Sequence, residues 1–271
     1  MSETHPQFEA LAAASGPQIL HMGVPSRALA YRYRAAASPV DQRPGVIWLS
    51  GFRSNMRSTK AERLDAWAAA NGRAFLRFDY SGHGESGGDF EAGTIGRWSE
   101  ESLEILRTVS AGPQILVGSS MGGWLALLTA RALAERGESA RLAGLVLIAP
   151  AVDFTEALLW AQLPADAKRD IETQGRWMRA STYDSEPYPI TRGLIEEGRA
   201  HLMLGGAISV GCPVHILQGM CDPDVPWRHA LALVEHLAGD PATLTLIKDG
   251  DHRLSRDSDI ERLFAAIEGI A

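Results

Sequence analysis

Cysteine is scarce in this chain of 271 residues, which carries only Cys212 and Cys221. They flank an apolar run, and a strand between them would hold the sulfurs beyond disulfide reach. With no CxxC pair and no histidine cluster beside them, they exclude a disulfide scaffold and suit a reducing compartment. Lysine is scarce too, three of 26 basic residues, and the net charge is −7. No run of like charge occurs, so the clustered basic face that nucleic-acid binding needs is missing. The acidic balance serves solubility. No apolar stretch approaches the length of a membrane span. No Lys or Arg precedes Arg27, so neither a secretory n-region nor a basic transit peptide is expected. The sequence therefore predicts a cytoplasmic protein. HExxH and Cys/His ligand spacings are absent, which predicts no metal and no cofactor.

What is present fits one large α/β domain. Apolar residues make up 45% and charged residues 22% of the chain, ordinary values for a globular protein. Short apolar runs over 19–24, 28–34, 46–50, 74–79, 115–119, 144–149, 214–218 and 243–247 predict strands. Helical patterns over 60–70, 95–109, 122–136, 227–238 and 255–270 fall between them, so the sheet should be mostly parallel and covered on both faces. The run over 28–34 alternates Tyr31 and Tyr33 with Arg32 and Arg34, which predicts an antiparallel strand near an edge. Between 149 and 214 the rhythm breaks. No strand is expected there, only helical pieces near 165–179 and 191–204, with Trp160, Trp177, Met178, Tyr183, Tyr188 and Met203 as large apolar groups. The division expected is a core of 1–154 and 212–271 with an inserted helical cap, or lid, over 155–211.

Gly-x-Ser-x-Gly occurs twice. The copy at 84–88 sits in a loop after the strand ending at Asp79, with no helix following promptly, so Ser86 reads as a loop residue. The copy Gly118-Ser119-Ser120-Met121-Gly122 follows the strand ILVGS directly and opens the helix GGWLALLTARALAER. A nucleophile elbow needs that strand–turn–helix context, with glycines where the sharp turn packs on neighbouring backbone. Ser120 is the expected nucleophile.

A serine hydroxyl needs a base, and the base needs an anionic partner. Of eight histidines, His252 follows the strand TLTLI in a polar loop at the C-terminal edge of the sheet, where open α/β folds place their sites. His215 reads as structural, His229 and His236 lie on a helix, and His5 and His21 are far upstream. His83, in the loop after Asp79, is a candidate for a supporting role. Asp222 is the first carboxylate beyond the strand VHILQ and is favoured over its neighbour Asp224. Backbone N–H groups of Phe52 and Met121 are the expected oxyanion donors, with Gly51 allowing close approach. Gly51, Arg53 and Trp124 are expected to contact substrate, and Arg53 could meet a substrate carboxylate.

The segments SGF, DYSGHGES, GSSMGG, GMCDPDVP and GDHRLS, in that order, resemble the α/β-hydrolase superfamily. GFRSNMRSTKA, FLRFDYSGHGESGG, GPQILVGSSMGGWL and PYPITRGLIEEGR are similar to its palmitoyl-protein thioesterase and acyl-glucuronide esterase group. The resemblance implies an eight-stranded sheet, a helical cap over Ser120, and cofactor-free cleavage of acyl esters or thioesters. It departs at the start of the chain, where an organelle presequence is not seen, and the Ala- and Arg-rich composition suits a bacterial relative. The expected partner is thus a small acyl ester or thioester. A small serine peptidase or amidase, and a non-catalytic ligand-binding protein, stand as alternatives.

Overall fold

The computed structural model of the chain describes residues 16–38, 40–180, 186–237 and 239–270. His5, the start of the chain read above for a leader, Tyr183 and the final residue of the helix expected over 227–238 lie outside the described residues.

Among the described residues there are ten strands: β1 Gln18–Met22, β2 Arg27–Arg34, β3 Gly45–Leu49, β4 Phe75–Phe78, β5 Gln114–Ser119, β6 Leu142–Ile148, β7 Arg176–Arg179, β8 Tyr188–Thr191, β9 Val214–Gly219 and β10 Ala242–Ile247. Eight form one sheet in the order β1-β2-β4-β3-β5-β6-β9-β10. β2 is antiparallel to both its neighbours, as its alternating pattern predicts, and the pairs from β4 through β10 are parallel. The α-helices among the described residues are α1 Thr59–Ala70, α2 Ile95–Val109, α3 Met121–Glu135, α4 Ala165–Gln174, α5 Arg192–Gly198, α6 Trp227–His236 and α7 Asp257–Glu268.

Alternation along the central strands fills two separate cores, because successive side chains leave opposite faces of a sheet. On β3, Ile47 and Leu49 face a cluster with α2, α3 and α6, including Ile105, Leu125 and Leu233. Val46 and Trp48 face the other side, against Leu64 of α1 and Leu263 of α7. α3 is buried through most of its length, in keeping with its apolar circumference.

The order β4-β3-β5 means that the chain winds away in opposite directions from the β3–β5 boundary. Loops leaving the C-terminal ends of those two strands part there and leave a crevice, the usual ligand position in open α/β sheets. Every loop discussed below leaves that same edge.

Residues 155–211 are not purely helical. α4 stops at Gly175, whose φ of +82° is a left-handed cap, and β7 and β8 then form an antiparallel hairpin. The pattern read as one helix over 165–179 is thus a helix, a glycine stop and a strand, and glycine just past a last helical residue carries that signal. Leu159, Ile171, Ile190 and Ile195 make a small core of their own, on which Phe52, Phe154 and Trp177 pack. At the base, the buried carboxylate of Asp153 accepts hydrogen bonds from the Met203 and Leu204 amides at 2.8 Å, tying the two ends of the segment together.

Candidate active site

β5 runs into α3 through Ser120, whose φ of +55° and ψ of −119° are strained for a residue with a side chain. The surroundings impose that conformation. Ser120 N–H donates to Ile148 O at 2.8 Å, and Ser120 O accepts from Gly123 N and Ala151 N. A Cβ on Gly118 would lie 2.2 Å from Gly122 O, and one on Gly122 would lie 2.1 Å from Leu49 O. The glycines are there because backbone occupies the space a side chain would need. Ser119, the neighbouring hydroxyl, ends the strand and is 8% exposed.

Asp222 follows β9, and its side chain is fully buried. Oδ1 accepts from the Asp224 and Val225 amides, both at 2.8 Å. Oδ2 accepts from His252 Nδ1 at 2.8 Å and from Gln218 Nε2 at 3.2 Å. A carboxylate in that setting only accepts, so Nδ1 carries the proton and Nε2 is the basic nitrogen of His252. Asp224 contributes its amide to Asp222 while its side chain lines the cavity. Ligand atoms of Asp222, Asp224 and His252 lie within 4.8 Å of one another. A cation could join them only by displacing hydrogen bonds that already fill the Asp222 carboxylate.

The loop bearing His252 is held from two sides. Cys221 N–H donates to Gly250 O at 2.9 Å. From the far side, Lys60 Nζ of α1 donates to Arg253 O and lies 3.4 Å from Ser255 Oγ. Three further histidines are occupied elsewhere. His229 Nε2–H donates to Val152 O at 2.8 Å, His236 bonds Leu204 O, and His201 bonds Glu197.

The loop after β3 presses on the elbow, since a Cβ on Gly51 would lie 3.2 Å from Ser119 O and 3.3 Å from Ser120 Cβ. The Phe52 and Met121 amides find no protein acceptor among the described residues, and both residues line the cavity above Ser120. Arg53 has a left-handed φ of +58°; its guanidinium lies 4.4 Å over the Tyr188 ring. Ser86 serves the loop after β4: its Oγ donates to Asp79 O at 2.6 Å and accepts from Ala30 N at 2.8 Å.

The cavity has a volume of about 350 Å³ and includes Ser120, His252, Gly51, Phe52, Met121 and Arg53 in its lining. Phe154, Leu158, Leu159 and Ile190 give it an apolar wall, and Lys60, Arg179 and Arg253 bring positive charge to it. Lys60, Arg179 and Arg253 went unread in the sequence; for Arg253, adjacency to His252 was a usable signal. Trp124 is the correction. It is fully buried, packs edge-on to Phe154 at 5.9 Å, and donates its indole N–H to His201 O at 3.3 Å. It lies behind the cavity wall because α3 turns that position into the core.

Residues 45–266 match the Alpha/beta hydrolase family. The mitochondrial palmitoyl-protein thioesterase ABHD10 of Mus musculus is 39% identical over 228 residues, 84% of this chain and 75% of that protein. Among solved structures, a putative hydrolase from Agrobacterium vitis S4 superposes with a TM-score of 0.89 at 48% identity, covering 94% of this chain and 98% of that one. The alpha/beta hydrolase domain-containing protein 10 from mouse superposes with a TM-score of 0.80 at 35% identity, covering 93% and 98%.

Proposed function

The chain belongs to the Alpha/beta hydrolase family, and on that premise we propose that it is a serine hydrolase cleaving small acyl esters or thioesters through an acyl-enzyme on Ser120. The observation that carries this reading is the 2.8 Å hydrogen bond from His252 Nδ1 to buried Asp222, with His252 and strained Ser120 lining one cavity.

In this mechanism His252 Nε2 takes the Ser120 proton as Oγ attacks the acyl carbonyl, and Asp222 stabilises the imidazolium. The Phe52 and Met121 amides receive the negative oxygen. They are suited to it because no acceptor among the described residues competes for them, so the donors need not reorganise as charge develops. His252 then passes its proton to the departing alcohol or thiol, and water releases the acyl group by the same steps.

The reading extends to the segment over 155–211 as a lid. Its Leu158, Leu159 and Ile190, with Phe154 immediately before it, supply the apolar wall, which fits the hydrocarbon part of an acyl group. Relatives named as thioesterases support thioesters beside oxygen esters. The free thiols of Cys212 and Cys221 support a reducing compartment, the cytoplasm included.

Purified protein is tested against p-nitrophenyl esters and acyl thioesters of graded chain length, beside Ser120→Ala and labelling by a fluorophosphonate. Turnover and labelling that both vanish in Ser120→Ala uphold the reading. Turnover unchanged in that variant, or no labelling of the parent, sinks it.

A further inference from the structure

His83 is a buried polar side chain that the mechanism above leaves unused. It is 5% exposed and enclosed by aromatic rings, with Trp98 at 5.1 Å, Phe90 at 5.2 Å and Tyr80 at 5.7 Å between centroids. Two hydrogen bonds fix its protons. Nδ1 lies 3.3 Å from Ser81 O, which can only accept, so Nδ1 carries the hydrogen. Nε2 is then an acceptor, and the Arg53 amide donates to it at 3.3 Å.

We infer that His83 is a positioning residue for the oxyanion hole, its Nε2 holding the left-handed turn at Arg53 so that the Phe52 N–H faces the cavity. The inference rests on the serine-hydrolase reading above and adds to it the group that keeps one donor in place. A turn with φ of +58° at an arginine is costly to hold and relaxes unless its surroundings fix it. His83 supplies one restraint, and the Gly51 carbonyl, accepting from Ser54 N–H at 3.0 Å, supplies another.

The platform beneath His83 is rigid. Ser81 O also accepts from Trp98 Nε1 at 3.1 Å. Buried Glu101 grips Ser81 through its amide at 2.9 Å and its hydroxyl at 2.7 Å. Phe90 and Trp98, which enclose the imidazole, also pack on the Phe52 ring at 5.2 and 6.0 Å. One aromatic group therefore fixes Phe52 by its side chain and, through His83, fixes the next amide along. Burial pulls the imidazole down to about 4, so at neutral pH it stays an acceptor.

The test compares His83→Met, which fills the space with only a weak thioether acceptor, with His83→Gln, which returns a strong acceptor near the Nε2 position. Three quantities are read: kcat and KM for p-nitrophenyl butyrate, affinity for an alkylboronic acid that forms a tetrahedral adduct on Ser120, and hydrogen exchange at the Arg53 amide. Loss of a whole oxyanion donor costs about 10²–10³ in rate, so a misaligned one should cost about 10–100-fold. His83→Met should lose that factor in kcat and in boronate affinity, with KM little changed and Arg53 exchange faster. His83→Gln should recover most of each. A His83→Met enzyme with kcat and boronate affinity within about twofold of the parent overturns the inference. So does equal Arg53 exchange in all three proteins, a result that needs no turnover. A parent protein with neither ester turnover nor boronate binding overturns the hydrolase reading itself and the role of His83 with it.

Discussion

His252 Nδ1 and Asp222 Oδ2 lie 2.8 Å apart, and the carboxylate also accepts from two amides and a glutamine. That arrangement fixes the tautomer that leaves Nε2 basic. Asp222→Asn keeps the shape but presents an amide to Nδ1, which favours the wrong tautomer. The expected loss in kcat is about 10³–10⁴-fold at neutral pH with the fold intact. Asp224→Asn, which leaves its backbone amide on Asp222, should cost less than about tenfold. Steady-state kinetics with circular dichroism on both variants decide which carboxylate acts.

Trp124 should matter for stability and not for substrate. Trp124→Ala removes a fully buried indole, and large-to-small changes of this kind cost about 3–5 kcal/mol. Trp124→Phe should keep KM for esters at its parental value while losing the hydrogen bond to His201 O. Urea unfolding and ester kinetics on the two variants check both expectations.

Ser86 belongs to the other Gly-x-Ser-x-Gly copy, and its hydroxyl both donates to Asp79 O and accepts from Ala30 N. Ser86→Ala leaves a buried amide and a carbonyl without partners, at a cost of about 1–3 kcal/mol. Ester turnover should persist and fluorophosphonate should still label the protein. Loss of labelling in Ser86→Ala with the fold retained would contradict the assignment of Ser120.

His83 should leave a mark on acid stability. Its imidazole is pulled from 6.5 down to about 4, chiefly by burial, so between those values the unfolded chain binds a proton that the folded chain does not. Stability then falls as pH falls from 6.5 to 4. The loss relative to His83→Gln should be on the order of 3 kcal/mol by pH 4. Denaturant unfolding of both proteins at pH 7, 5.5 and 4 measures the difference.

Lys60 gives the opposite end of the scale. Burial lowers its ammonium from 10.5 to about 8, so the folded chain releases this proton while the unfolded chain keeps it. The parent should gain stability relative to Lys60→Met as pH rises from 8 toward 10.5. Unfolding curves at pH 7, 8.5 and 10 test the sign. A gap between the two proteins that stays constant across that range would show that Lys60 does not titrate in the fold.

Much of the core was legible because strands and helices announce themselves by period. VIWLS, ILVGS and GLVLIA read as buried parallel strands and are β3, β5 and β6. YRYR read as antiparallel and is part of β2. The hairpin of β7 and β8 was not legible, since four residues such as RWMR or YPIT are too short for a period to register. Gly175 offered the one local sign that a helix ended there. In the candidate site, the turn at Ser120 could be read from its glycines and the apolar runs flanking it. The Arg53 amide and the His83 imidazole could not be joined by reading, because thirty residues and a sheet register separate them.

The sequence by itself determined the strand–turn–helix around Ser120 and the chain order Ser120, Asp222, His252, since each depends on neighbours within a few residues. Tertiary structure decided which carboxylate meets His252, which side chains wall the cavity, and that Trp124 turns inward. Those outcomes depend on where loops from five different strands arrive, and packing of the whole sheet sets that meeting point.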